Sequence, residues 1–173
     1  MDTETVTLLF AGLALAAQAI VAGVVVAALT GYLDRLRSAF GSVTLAAGAV
    51  VAATCTVGSL YLSEVAEFPP CRLCWFQRIA MYPLVVLLGL AAWRRDHTIR
   101  LYGAVLAVLG SAVSIWHLFV ERFPSLEGDS CDPLNPCSII WVERFGFLTI
   151  PGMALSGFAL VIALLAVSPP ASQ

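Results

Sequence analysis

The sequence predicts an all-α polytopic membrane protein, and three observations carry that prediction. Of 173 residues, 60% are hydrophobic and 12% charged, against roughly 25% charged in an ordinary soluble domain. The mean hydropathy is +0.93. Five apolar runs, 6–29, 43–62, 75–93, 101–120 and 146–167, hold 24, 20, 19, 20 and 22 residues, and a helix of about 20 residues covers the roughly 30 Å hydrocarbon layer. Lipid offers no partner to a backbone amide, so each run is expected as a helix. None alternates in polarity over about ten residues, as a barrel strand would.

The first run is expected to remain as a span. A cleaved leader has a positive start and a short apolar core, whereas here the charges ahead of the run are Asp2 and Glu4 and the run is 24 residues long. The second run contains Cys55, with no cysteine near it in sequence. A lone buried cysteine behaves as a small apolar residue, and no function is assigned to it. The third run follows Pro69 and Pro70, which discourage helix before them, so its helix is expected to begin near Cys71. Trp75 and Phe76 suit an interfacial aromatic belt. The fourth run ends in "SIWHLFVER", with His117 near its outer end and Glu121 one turn on. The fifth is 146–167. No internal repeat, low-complexity tract or linker interrupts the chain, so a single membrane domain is expected over 1–173.

Orientation is read from arginine, because lysine is absent. Loops 31–42 and 94–100 hold Arg35, Arg37, Arg94, Arg95 and Arg100 in 19 residues, whereas segments 1–5, 63–78 and 121–145 hold Arg72, Arg78, Arg122 and Arg144 in 46. Positive charge concentrates on the cytoplasmic side. The N-terminus is therefore expected outside, the C-terminus inside, and loops 63–74 and 121–145 extracytoplasmic. Nine of the eleven acidic residues share that outer side.

Cys71 and Cys74 then fall in the first outer loop, Cys131 and Cys137 in the second, and no cysteine in an inner loop. An extracytoplasmic compartment is oxidising and favours disulfides. "PPCRLCWFQR", residues 69–78, places a Cys-x-x-Cys unit at the start of a helix, where unpaired amides favour the thiolate, the attacking species in sulfur chemistry. Arg78, four residues past Cys74, lies on the same helical face one turn deeper. Its permanent charge can stabilise a thiolate or a reduced, anionic acceptor. At membrane depth such a charge marks a functional site unless it snorkels to the headgroups.

The second pair lies in "GDSCDPLNPCSIIWVERFG", residues 128–146, with the turn-forming Asp-Pro-Leu-Asn-Pro between its cysteines. Such a loop is exposed and within reach of a partner protein; residues 139–142 read as a short interfacial segment. Three readings of the four cysteines stand at this point. They are a redox relay, two inert structural disulfides, or a metal-binding or transport protein, since four thiolates are a known zinc set. The spans lack the buried acids and histidines that an ion path would need.

"FPPCRLCWFQRIAMYPL" resembles the first extracytoplasmic loop and following helix of the DsbB/BdbC family of disulfide bond formation proteins. The second pair, followed by "FGFLTIPGMAL", resembles that family's second loop and last helix, and the likeness runs over roughly 43–167. It implies a four-helix transmembrane bundle, leaving run 6–29 as one extra N-terminal transmembrane helix. It implies a thiol:quinone oxidoreductase in a prokaryotic cytoplasmic membrane, with a DsbA-like thioredoxin-fold thiol oxidase as partner. By that resemblance the partner's thiolate attacks the Cys131–Cys137 disulfide, with Cys131 taking the mixed disulfide, and Cys71–Cys74 reoxidises the distal pair. Cys74 then meets the quinone, menaquinone or ubiquinone, and Arg78 supports its binding and reduction. His117 falls where the family has a polar residue near the quinone; a histidine paired with Glu121 is the alternative. Membrane lipid is the expected surrounding, and nucleic acid is not an expected partner.

Overall fold

The computed structural model describes residues 2–128 and 131–169. Five helices among them are long and apolar enough to cross a membrane. Helix α1 (Thr3–Leu29) starts on Asp2, whose carboxylate accepts from the Thr5 amide at 3.1 Å and satisfies a donor that the first turn leaves open. A turn at Gly31 leads into a short amphipathic helix, α2 (Leu33–Phe40), where the sequence suggested only a loop. Helices α3 (Thr44–Glu64), α4 (Arg72–Arg94), α5 (Arg100–Arg122) and α6 (Ile150–Val167) follow.

The last span begins at Ile150, not at residue 146. Two short strands, β1 (Glu143–Arg144) and β2 (Leu148–Thr149), pair antiparallel ahead of it. Phe145 and Gly146 turn the hairpin with left-handed backbone, φ 57° and 75°. That conformation cannot continue as a right-handed helix, so apolar residues 146–149 go to turn and strand. Pro151 then sits in the first turn of α6, where its missing N–H costs nothing.

Helices α3 to α6 form a four-helix bundle in which α3 and α5 each border both α4 and α6. Phe158, Leu84, Leu88 and Val161 are fully buried at its centre. Phe158 fits because it faces Gly110, where a Cβ would stand only 2.2 Å from the ring Cζ. The outward positions are apolar too, among them Val57, Trp93 and Leu101, as a lipid surrounding requires. Helix α1 lies outside the bundle against α6. Ala11 and Ala14 pack on Leu148 and Met153, and Gln18 Nε2 donates to Ser156 Oγ at 2.9 Å. Small residues and interhelical hydrogen bonds between polar side chains are the usual means of association in lipid. Arg144 ties the hairpin to α1 by donating to Thr7 Oγ1 at 2.7 Å and pairing with Glu4 at 3.4 Å.

At the opposite end Arg37 of α2 donates to the Ala166 carbonyl at 3.3 and 3.2 Å, and Arg100 to the Ser168 carbonyl at 3.3 Å. Two cations thus cover the carbonyls that α6 leaves open where it ends.

Candidate functional site

Both cysteine pairs gather where α4 begins and α5 ends. Behind Pro69 and Pro70 the backbone of Cys71 is extended (φ −70°, ψ 173°), which makes it the cap of α4; its Sγ accepts from the Cys74 amide at 3.4 Å. One helical turn returns Cys74 beneath it, with the sulfurs of the two free thiols 3.0 Å apart. Cys131 and Cys137 are joined as a disulfide with their Cα atoms 6.0 Å apart. Cys71, Cys131 and Cys137 are buried in one apolar cluster with Leu73 and Val120, and Cys74 packs against it. The structure therefore brings all four loop cysteines together.

The 131–137 loop is held from two sides. Asn135 Nδ2 donates to the Pro70 carbonyl at 3.1 Å, while Glu127 accepts from the Cys137 amide and, at 2.7 Å, from Ser138 Oγ. Between the two cysteines Leu134 is 95% exposed. Residues 139–142 are irregular; within them Trp141 stacks on Phe68, centroids 5.4 Å apart.

His117 stands between the pairs. Its Nε2 is 3.8 Å from Cys71 Sγ and 3.0 Å from the Cys137 carbonyl oxygen, and its Nδ1 is 3.2 Å from Gln77 Nε2. An amide N–H donated to Nδ1 puts the ring proton on Nε2, where it faces the sulfur and the carbonyl. Glu121 takes a different partner, accepting from Thr149 Oγ1 at 2.7 Å. Cys71 lies just ahead of the membrane-spanning part of α4, and its pKa is pulled from 9.0 to about 4. The hydrogen bond from the Cys74 thiol is the main cause; burial opposes it, and His117 and the Cys74 amide add to it.

Cys74 also lines a cavity of about 350 Å³ between α1, α3, α4 and α6. Its walls are mostly apolar, and Thr54, Ser59, Gln77, Arg78 and Tyr82 are polar residues that line it with Cys74. Arg78 is 8% exposed and does not snorkel. Its guanidinium donates to Ser59 and lies 5.2 Å from the Trp75 ring centroid; Nη1 meets no acceptor among the described residues. His117 is not among the lining residues, whereas Cys55 is. A chamber of a few hundred Å³ with few polar groups is the form of a small-molecule site. A fixed cation with unused N–H groups beside a thiol suits an acceptor whose oxygens gain negative charge.

The ligand atoms of Cys71, Cys74 and His117 lie within 4.8 Å of one another, a spacing that fits one soft ion. A four-thiolate set is not formed, because two of the four sulfurs are bonded to each other.

Several site residues lay outside the sequence reading. Gln77 and Ser59 were visible as polar residues inside apolar spans, a usable signal. Glu127 and Asn135 carried none, since an exposed loop holds such residues routinely.

The profile of the family described as "Disulfide bond formation protein DsbB" matches residues 39–168. Disulfide bond formation protein C of Bacillus subtilis (strain 168) is 44% identical over 121 residues, covering 69% of this chain and 88% of that protein. A probable disulfide formation protein C 1 of Bacillus anthracis is 43% identical over 105 residues, 60% of this chain and 75% of that one. A probable disulfide formation protein of Oceanobacillus iheyensis is 41% identical over 109 residues, 62% and 75% of the two chains. No solved structure gave a significant match. Because the matched region takes in both cysteine pairs and the α3–α6 bundle that carries them, the chain belongs to the DsbB family of disulfide bond formation proteins and is a multi-pass membrane disulfide oxidoreductase.

Proposed function

We propose that the protein reoxidises a DsbA-like thioredoxin-fold thiol oxidase through its two cysteine pairs and passes the electrons to a membrane quinone, sustaining extracytoplasmic disulfide formation. The observation that carries this reading is the double membership of Cys74. Its sulfur is 3.0 Å from that of Cys71, and its side chain lines the cavity that also holds Arg78.

Cys131 is buried beneath a loop that is exposed at Leu134, so its Sγ has to be uncovered before the partner's thiolate attacks it; the bond to Cys137 then breaks, and Cys137 leaves as thiolate. The partner's second thiol resolves the mixed disulfide, so the partner loses two electrons and two protons and Cys131 and Cys137 become thiols. That dithiol in turn reduces a Cys71–Cys74 disulfide, closing its own bond again. His117 directs an N–H at the Cys71 sulfur and favours its thiolate. Cys74, Arg78 and Ser59 would hold the quinone, menaquinone or ubiquinone, which when bound accepts two electrons and two protons. Arg78 supplies the fixed positive charge.

The cysteine loops belong outside in this reading, with the N-terminus out and the C-terminus in, consistent with the arginines gathered where α6 ends. In the test, purified protein, reduced thioredoxin-fold partner and quinone are mixed and quinone absorbance followed. Reduction is expected to depend on all four loop cysteines and to weaken in Arg78→His. An unchanged rate in Cys74→Ser overturns the reading. The metal-binding alternative rests on the Cys71, Cys74 and His117 set; stoichiometric zinc in the purified protein, lost in Cys71→Ser, would favour it.

A further inference from the structure

Helix α1 lies ahead of the matched family region, which begins at residue 39, yet Phe10, Leu13, Ala14 and Ala17 line the acceptor cavity. The Phe10 ring rests on Gly58 of α3, where a Cβ would come within 2.6 Å of its Cζ. This close approach lies beside Ser59, the residue that holds Arg78. Leu13 and Val50 both line the cavity while being 48% and 65% exposed. Side chains with one flank on the chamber and the other on the exterior mark its mouth. Both belong to membrane-spanning helices, so that mouth faces acyl chains.

The volume decides what the mouth is for. At about 350 Å³ the chamber sits at the lower end of the roughly 300–1,000 Å³ that enclose a drug-sized ligand. It has room for a quinone ring and not for a polyprenyl chain as well.

We propose that α1 makes the acceptor site a chamber with a lateral portal: Phe10 on Gly58 shuts the α1–α3 seam beside Arg78, and the polyprenyl chain of the quinone runs out to the lipid between Leu13 and Val50. The inference rests on the quinone reading above and adds to it a recognition surface for the chain, built in part by α1. A quinone without a chain occupies the ring site alone and makes no portal contact.

The test uses the full-length protein in lipid nanodiscs with two probes, menadione, which has no chain, and a polyprenyl menaquinone. Leu13→Trp narrows the portal from α1, and Val50→Trp narrows it from α3. Binding is read as the thermal shift each quinone produces in the absence of partner protein, and turnover as quinone reduction with the reduced partner. Each variant is expected to lower the affinity ratio of menaquinone to menadione about tenfold, with the menaquinone loss appearing in KM rather than kcat. Equal losses for both quinones, or none for either, overturn the portal. If one variant proves unstable without ligand, the other must show the change in ratio by itself. A wild-type protein stabilised by neither quinone would instead remove the proposed function, and the portal with it.

Discussion

Arg78 of α4 reaches across to α3 and donates from Nε to Ser59 Oγ and from Nη2 to the Ser59 carbonyl, each at 2.9 Å. Two parallel bonds to one residue fix the plane of the guanidinium as well as its position. A lysine could keep the charge but not the plane. Arg78→Lys is therefore expected to lower quinone reduction about tenfold, and Arg78→His further. Ser59→Ala removes one bond of about 1 kcal/mol and is expected to raise the quinone KM about fivefold. Steady-state kinetics with saturating reduced partner measures all three; equal rates in wild type and Arg78→Lys would show that the fork contributes nothing.

The depressed pKa of Cys71 gives a pH dependence with a definite sign. A thiol of pKa about 4 in place of 9.0 remains a thiolate across that whole interval. In the reduced protein the ultraviolet thiolate absorbance is expected to persist as pH falls from 9, to disappear only near pH 4, and to be absent in Cys71→Ser. Linkage runs the same way: the stabilisation from the depressed pKa is fully present above the unfolded value and is lost as pH falls through the folded one. Titration of the absorbance near pH 9 would refute the assignment.

Cysteine removal should trap the exchange between pairs. Cys71 shares an apolar cluster with Cys131 and Cys137, and Cys74 only packs against its edge. In Cys74→Ser, Cys71 has no resolving neighbour, and a stable disulfide between Cys71 and one cysteine of the second pair is expected. Peptide mapping under non-reducing conditions detects it. Finding Cys71 free after treatment with oxidised partner would break the proposed order of transfer.

Packing at the bundle centre is tested by Gly110→Ala. The new Cβ would meet Phe158, which is fully buried, at 2.2 Å from Cζ. Overpacking of this kind costs roughly 1–3 kcal/mol, and Tm is expected to fall by roughly 5 °C. Phe158→Leu in the same chain is expected to restore part of the loss.

How much of this was legible in the sequence varies with the physics involved. The spans were read from length and hydropathy, because lipid leaves a backbone no alternative to helix. Hydropathy places the start of α6 too early, since it does not register the left-handed turn at Phe145 and Gly146. Helix α2 is not legible in the sequence, because eight residues with mixed polarity look like a loop until α6 gives Arg37 a carbonyl to bind. The four loop cysteines and Arg78 are singled out by residue type and spacing. Their hydrogen-bond partners are not: His117 lies against Cys71 while Glu121 accepts from Thr149, and Arg78 donates to Ser59, 19 residues earlier. Such pairings depend on how helices rotate against one another, which a local pattern does not encode. That α1 helps to line the cavity is likewise a tertiary fact.

Pro70 belongs to two places at once. Its carbonyl accepts from Asn135, in the disulfide loop, and the residue also lines the cavity between α1, α3, α4 and α6. That hydrogen bond joins the disulfide loop to the rim of the cavity. The Cys137 carbonyl on His117, and Gln77 on the same ring, make a second tie between the disulfide and the wall of the apolar cavity.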